Sequence, residues 1–285
     1  MKIFTCFSVV AAATTLVPML WVCLSACGSS SGSASGGGDA GRDVSLSGEG
    51  GEDAGGPGAD SGQAMDASCD GCVAVPVKGG AAFLIDGTEV TNAAYAAWLA
   101  TNPDTAGQPS ECSWNTSFVP SQGWPDASAD LPVAAVDWCD AYAYCAGAGK
   151  SLCGAVGGGP ARYDAYDDAG SDEWYIACSR GGAQAYPYGS AYDPTKCNGA
   201  DFDASGPVAV GSLPGCVGSV PGLFDMSGNV WEWENACNGD AGAVDTCRRR
   251  GGSWFSDAGL LTCAVGGFDA RNATSKYVGF RCCKL

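Results

Sequence analysis

The sequence predicts a loop-rich α+β domain cross-linked by disulfides, and three observations carry that prediction. Only three short stretches have the apolar spacing of a helix, and short β-like pieces at 81–86, 206–213 and 278–283 lie among Gly-, Pro- and Asp-rich segments. No repeat of 20–50 residues is visible, which argues against a solenoid or propeller. Of the 17 cysteines, all but Cys6, Cys23 and Cys27 fall in residues 69–285, together with every tryptophan except Trp21. Cysteine use at this density points to an oxidising compartment.

The first helix is expected after Thr91, a capping residue, with Tyr95, Trp98 and Leu99 on one face. In the second, Trp138, Ala141, Tyr142 and Cys145 follow i, i+3, i+4, i+7 spacing, and Gly147 and Gly149 stop it. The third is expected to be capped by Ser171, with Asp172 and Glu173 at its positive end and Trp174, Ala177 and Cys178 beyond.

Upstream of the domain the chain reads as an address and a tether. Residues 3–26 are uncharged and mostly apolar, the pattern of a signal peptide, and could also span a bilayer if uncleaved. They end in Leu24-Ser25-Ala26-Cys27, which resembles a bacterial lipobox and implies cleavage after residue 26 and lipidation of Cys27. Gly28 after the cysteine resembles the sorting signal for the outer membrane. Residues 27–68 form a linker: positions 28–68 hold 13 glycines, seven acidic residues and no aromatic, too little apolar surface to offset ordering entropy. The expected localisation is therefore exported and lipid-anchored to the outer membrane, with the membrane as one partner.

Composition excludes several chemistries. With no histidine there is no Ser-His-Asp triad, Cys-His pair or HExxH zinc site. Fourteen basic residues against 31 acidic, a net charge of −17, leave no surface for nucleic acid. Cation binding suits that charge better.

The segment Gly222-Leu-Phe-Asp225-Met-Ser-Gly228-Asn229-Val230-Trp231-Glu232-Trp233 resembles a signature of the formylglycine-generating enzymes, or sulfatase-modifying factors. Arg250-Gly-Gly-Ser-Trp254 and Gly279-Phe-Arg281 resemble two more, in the family order. Upstream, Asp86 to Asn92, Pro132 to Trp138, Ala143-Tyr144-Cys145, Gly149-Lys150, Trp174 to Gly182 and Tyr186 to Gly189 add further matches, so the resemblance runs over roughly 75–283. It implies the family's irregular C-type-lectin-like α+β fold.

The resemblance also implies two disulfides, Cys145–Cys282 and Cys178–Cys263. Proximity in sequence suggests Cys197–Cys216 and Cys237–Cys247. Cys69 and Cys72 either bridge locally or form a redox CxxC, and Cys112, Cys139, Cys153 and Cys283 leave three pairings open. Structural zinc is not expected, because Cys69-Asp-Gly-Cys72 has no second CxxC and no histidine to complete it.

Family enzymes oxidise a cysteine of a sulfatase to formylglycine with oxygen and a copper ion held by two cysteines, and soft thiolates suit Cu(I). Here Ser256 stands at the first copper-cysteine position, with Ser253 in the same groove. No cysteine stands at the second, and the arginine expected further on is Gly266. A hydroxyl is a hard, neutral ligand, so copper is not expected and no catalytic residue is assigned. A thiol site at Cys263 with Cys282 or Cys283 would be the rescue. The family's calcium cage carries over better, as Asp225, Gly228, Val230 and Glu232, with a second site beginning at Asn198 and Gly199 and continuing to Asp201 or Asp203. Two carboxylates with carbonyls in one turn suit a hard cation.

Three functions follow. A non-catalytic binding module would present Trp114, Trp124, Tyr186 and Tyr188 to a glycan, peptide or envelope protein. The alternatives are a formylglycine-generating oxidase or related oxygen-using enzyme, and a thiol–disulfide partner acting through Cys69 and Cys72. Residues 153–170, rich in glycine and carrying Asp164, Asp167 and Asp168, replace a short family turn as a lid or partner loop.

Overall fold

The computed structural model describes residues 69–285; the leader, Cys27 and the linker lie outside the described residues. Among those described are three α-helices and eight strands joined by long loops. In chain order they are β1 (Cys72–Val75), β2 (Phe83–Asp86), α1 (Asn92–Leu99), α2 (Trp138–Gly147), β3 (Ser151–Leu152), α3 (Glu173–Ser179), β4 (Trp231–Cys237), β5 (Thr246–Arg250), β6 (Gly266–Ala270), β7 (Val278–Phe280) and β8 (Cys282–Lys284). They form two four-stranded sheets, ordered β1-β2-β8-β3 and β6-β5-β4-β7.

The helices form where local chemistry predicts. Thr91 caps α1 by accepting from the Ala94 N–H at 3.1 Å. At α2, Asp137 and Asp140 make a reciprocal capping box, and the helix gives way at Ala148 and Gly149, the latter at φ +68°. For α3 the expectation needs correction: Asp172, not Ser171, is the cap, accepting from the Tyr175 N–H at 2.7 Å. The Ser171 hydroxyl instead donates to Asp168 at 2.8 Å.

Of the expected strands, 206–213 is a loop. Its backbone is paired to a side chain: the Val208 N–H donates to Asn229 Oδ1 at 2.9 Å, and Asn229 Nδ2 donates back to the Val208 carbonyl at 3.3 Å. The piece at 278–283 is two strands in different sheets, broken at Arg281, whose side chain turns inward.

Two apolar clusters fill the domain. One gathers Tyr95, Trp138, Trp231, Trp233 and Phe280; the other gathers Phe83, Ile85, Trp174, Ile176, Leu223 and Met226. Successive strand residues point to opposite faces, so β8 sends Cys282 into the first cluster and Cys283 into the second. There they bridge to Cys145 and Cys153. The remaining pairs are Cys69–Cys72, Cys112–Cys139, Cys178–Cys263, Cys197–Cys216 and Cys237–Cys247. All 14 cysteines of residues 69–285 are thus bridged.

Residues 153–170 are held against the rest of the domain at several points. Tyr163 and Tyr166 enclose the Arg248 guanidinium, each ring centre 4.2 Å from it, and the Ala161 N–H donates to the Asn235 carbonyl at 2.7 Å. Cys153 bridges the start of the segment to β8, and Ala155 pairs with Asp172 near its end.

The acids at the helix starts make stability depend on pH. Burial pushes the Glu173 carboxyl up to about 7, against the Gly154 N–H it accepts at 2.9 Å. Burial raises the Asp137–Asp140 pair as well. A folded-state value above the unfolded one means that the native protein holds those protons more tightly. The contribution is full below the ordinary carboxylate range and is lost as pH rises through the folded value. The melting temperature should therefore fall between pH 5 and pH 8. Glu173 accounts for up to about 3 kcal/mol, or roughly 6–12 °C at this size. Glu173→Gln should flatten the profile, and a Tm that rose across that interval would contradict the assignment.

Candidate functional site

The 225–233 segment is built by alternation. Along β4, Trp231 and Trp233 face the first apolar cluster, while the intervening Glu232 and Glu234 face two buried arginines. Arg250 lies 3.3 Å from Glu234 and 3.6 Å from Asp172, over the ring of Trp174. Arg281 grips Glu232 with two nitrogens, each at 2.7 Å, and Trp174 Nε1 donates to the same carboxylate at 2.8 Å. The motif residues Arg250, Arg281 and Trp174 are thus structural partners of the strand's acidic face.

The turn before β4 places Asp225, Gly228 and Asn229 at positive φ, and Glu232 follows inside the strand instead of in the turn. Asp225 accepts from the Gly211 N–H at 2.6 Å. Asn229 Nδ2 donates to Glu89 Oε1 at 3.0 Å, and Asn198 Nδ2 donates to Asn229 Oδ1 at 3.1 Å. Three buried carboxylates, Glu89, Asp225 and Glu232, therefore face one guanidinium. Burial, then the Asp225 carboxylate, pushes Glu89 well above the usual range, and burial pushes Asp225 up to about 6. Glu89 Oε2 and Asn198 Oδ1 are buried without a hydrogen-bond partner. Excess negative charge and orphaned hard oxygens fit a calcium ion. Only Glu89 Oε2 and Asn198 Oδ1 are unpartnered, whereas Asp225 accepts from Gly211 and Glu232 has both oxygens engaged by Arg281. Glu89 was missed from the sequence because it lies about 140 positions from the turn it faces. For the second site, Asn198 and Gly199 are buried, but Asp201 and Asp203 are exposed, and Asp201 accepts from the Tyr192 hydroxyl at 3.1 Å.

The loop at the copper position is closed by serines. Gly251 and Gly252 adopt φ +85° and +78°, turning the chain so that Ser253 and Ser256 point inward, 2% and 4% exposed. The Ser253 N–H donates to Ser256 Oγ at 2.9 Å, and the two hydroxyls lie 3.4 Å apart. Among the described residues the hydrogen-bond partners of the two hydroxyls are each other and the N–H groups of Ser253 and Phe255, and Cys263 offers no thiolate to Cu(I) because it is bridged to Cys178. The residues do not fit copper. Two clusters of cysteine and carboxylate atoms converge within 4.8 Å, Cys69-Cys72-Asp86 and Cys153-Glu173-Cys283, but their sulfurs are in disulfides. Gly266 opens β6, packed under the Tyr166 ring.

Outside the serines stands an aromatic group that sequence reading missed. Phe255 is 69% exposed, Trp254 and Tyr277 pack against it, and Lys276 Nζ lies 5.1 Å from the Tyr277 ring centre. Lys276 also borders a cavity of about 240 Å³ lined by Trp124, Leu131, Pro132 and Pro207. Of the expected contact aromatics, Trp124 is at this cavity. Trp114 is partly buried against the core, Tyr186 is buried and Tyr188 is half-buried.

Residues 55–285 match the family model of the sulfatase-modifying factor enzyme 1-like domain. The chain belongs to that family. It is 30% identical over 188 residues to the inactive C-alpha-formylglycine-generating enzyme 2 of Mus musculus, covering 59% of this chain and 54% of that protein. It is 28% identical over 190 residues to the formylglycine-generating enzyme of the same organism, covering 55% and 46%. The chain thus spans about half the length of the curated relatives it matches. The structure of PvdO from Pseudomonas aeruginosa superposes with a TM-score of 0.49 at 20% identity, over 75% of this chain and 91% of that one. In this member of the sulfatase-modifying factor family, the signature segments build the two arginine–carboxylate pairings and the serine-closed loop.

Proposed function

We propose that this sulfatase-modifying-factor domain is a non-catalytic binding module, tethered to the outer membrane by lipid on Cys27 and holding calcium at the turn before β4, beside Asp225 and Glu89. The observation that carries the reading is Ser256: at the family's first copper-cysteine position stands a buried hydroxyl, hydrogen-bonded to the backbone of its own loop. The name of the Mus musculus relative, an inactive enzyme, is in keeping with it. Phe255, Trp254, Tyr277 and Lys276, beside the Trp124 cavity, supply the contact surface for a glycan, peptide or envelope protein. The test is incubation of the full chain with Cu(I), oxygen and a cysteine-containing peptide. The reading expects no retained copper and no aldehyde product; an aldehyde at the cysteine would overturn it.

Calcium is tested by stability. A ligand that binds only the native state at 100 times its Kd adds about 2.7 kcal/mol, roughly 5–10 °C here. Millimolar calcium should raise Tm by that order over chelator-treated protein, magnesium should not, and Asp225→Asn should abolish the difference. Equal Tm values with calcium and with chelator would remove the calcium assignment.

A further inference from the structure

Basic residues are scarce in a chain of net charge −17, and most are tied down. Arg250, Arg271 and Arg281 are in ion pairs with their side chains buried, Lys150 pairs with Asp86, and Arg248 and Lys276 lie over aromatic rings. Lys78 and Arg180 differ: both are exposed, and among the described residues neither has an ion-pair partner. Yet both line one cavity of about 790 Å³, whose wall includes Val75, Val77, Val220 and Pro221. A second cavity of about 390 Å³ adjoins it, sharing Arg180 and Ser219 and adding Lys196 and Tyr188. Lys196 has only a loose exposed pairing with Asp193, 4.0 Å away, of the kind that contributes little. Ser219 Oγ is buried and without a hydrogen-bond partner. Arg180 ends α3 at φ 56°, a left-handed position usually taken by glycine, with its side chain exposed.

We infer that this groove binds an acidic polysaccharide. Its carboxylate or sulfate groups meet Lys78, Arg180 and Lys196, and its sugar rings lie on the apolar wall and Tyr188. Two adjoining cavities joined at one arginine suit an extended ligand. Charge selects a polysaccharide over an acidic protein: the remaining surface of this chain is strongly acidic, and a globular acidic partner would face that repulsion over its whole footprint. A slender polyanion in the groove meets Lys78, Arg180 and Lys196, with Asp193 beside Lys196 and Asp168 beside Gly170 as the nearby carboxylates. The groove shares no lining residue with the Trp124 cavity or the Phe255 loop, so the inference stands apart from the function proposed above.

The test measures binding of the full chain to dextran sulfate and hyaluronate in 20 mM and 300 mM NaCl, with uncharged dextran and poly-glutamate as comparisons. The expected result is salt-sensitive binding to at least one acidic polysaccharide and none to dextran. Lys78→Glu with Arg180→Glu should weaken it at least tenfold, Arg162→Glu, exposed and outside both cavities, should leave it unchanged, and free sulfate at equal charge should not compete. Far-UV circular dichroism and Tm confirm that the variants fold. No binding to either polysaccharide at 20 mM NaCl, or equal binding by the double variant, would overturn the inference. So would poly-glutamate binding as tightly, or free sulfate displacing the polymer.

Discussion

Arg281→Met is expected to be the most damaging single substitution in the domain, costing at least 3–5 kcal/mol, or roughly 10 °C of Tm. The arginine is fully buried, holds Glu232 with two nitrogens, and donates to the carbonyls of Asp86 at 3.1 Å and Phe224 at 2.9 Å. It joins β2, the turn before β4, and β4 itself at the point where the chain passes from one sheet to the other. Removing one partner of a buried ion pair leaves the other charge uncompensated, and this cost far exceeds the net value of the pair. Glu89, Asp225 and Glu232 would then face each other without a guanidinium. Glu232→Gln in the Arg281→Met background should recover part of the loss, because it removes one of the stranded charges. Thermal unfolding of the single and double variants checks this. A double variant no more stable than Arg281→Met would show that the loss comes from packing alone.

Removing the Cys145–Cys282 bridge, by alanine at both positions, is expected to cost about 4–5 kcal/mol. The bridge spans 137 positions and ties α2 to β8, and closing a loop of that length removes the most unfolded-state entropy in the chain-entropy model. Both sulfurs are fully buried, so lost packing adds to the entropy term. Alanine at Cys69 and Cys72 should cost far less, because that bridge spans three positions at the edge of the domain. Denaturant unfolding of the two double variants measures the ordering. Equal losses would mean that loop closure does not govern the stability of this fold.

The parts of the fold that were legible in the sequence are those set by local chemistry. Thr91 and Gly149 determine helix ends within a few residues and are read from the sequence, whereas the Asp137–Asp140 capping box is not. Family likeness supplied Cys145–Cys282 and Cys178–Cys263, pairings that no local rule contains. What stayed hidden depends on distant partners. β4 reads as part of the signature turn, although Trp231-Glu232-Trp233-Glu234 alternates with the period of a strand; both of its faces are buried, aromatic on one and carboxylate on the other. The 206–213 loop did read as a strand because its backbone partner is the side chain of Asn229, which sequence patterning does not register. Glu89 was invisible as a candidate ligand for the same reason, since its neighbours Asn229 and Asp225 come from the far end of the chain. At the copper position the sequence showed the substitution itself. Only the structure shows that Ser256 is turned inward and that the exposed residue of the loop is Phe255.

The central claim is that no thiolate pair exists in this domain to carry the family's copper chemistry. Its most direct test is the intact mass of the full chain after alkylation without reduction, with the labelled residues mapped by proteolysis. The structure predicts no alkylated cysteine within residues 69–285, since all 14 are bridged. Two alkylated thiols mapping to Cys263, Cys282 or Cys283 would contradict it and return the domain to the oxidases.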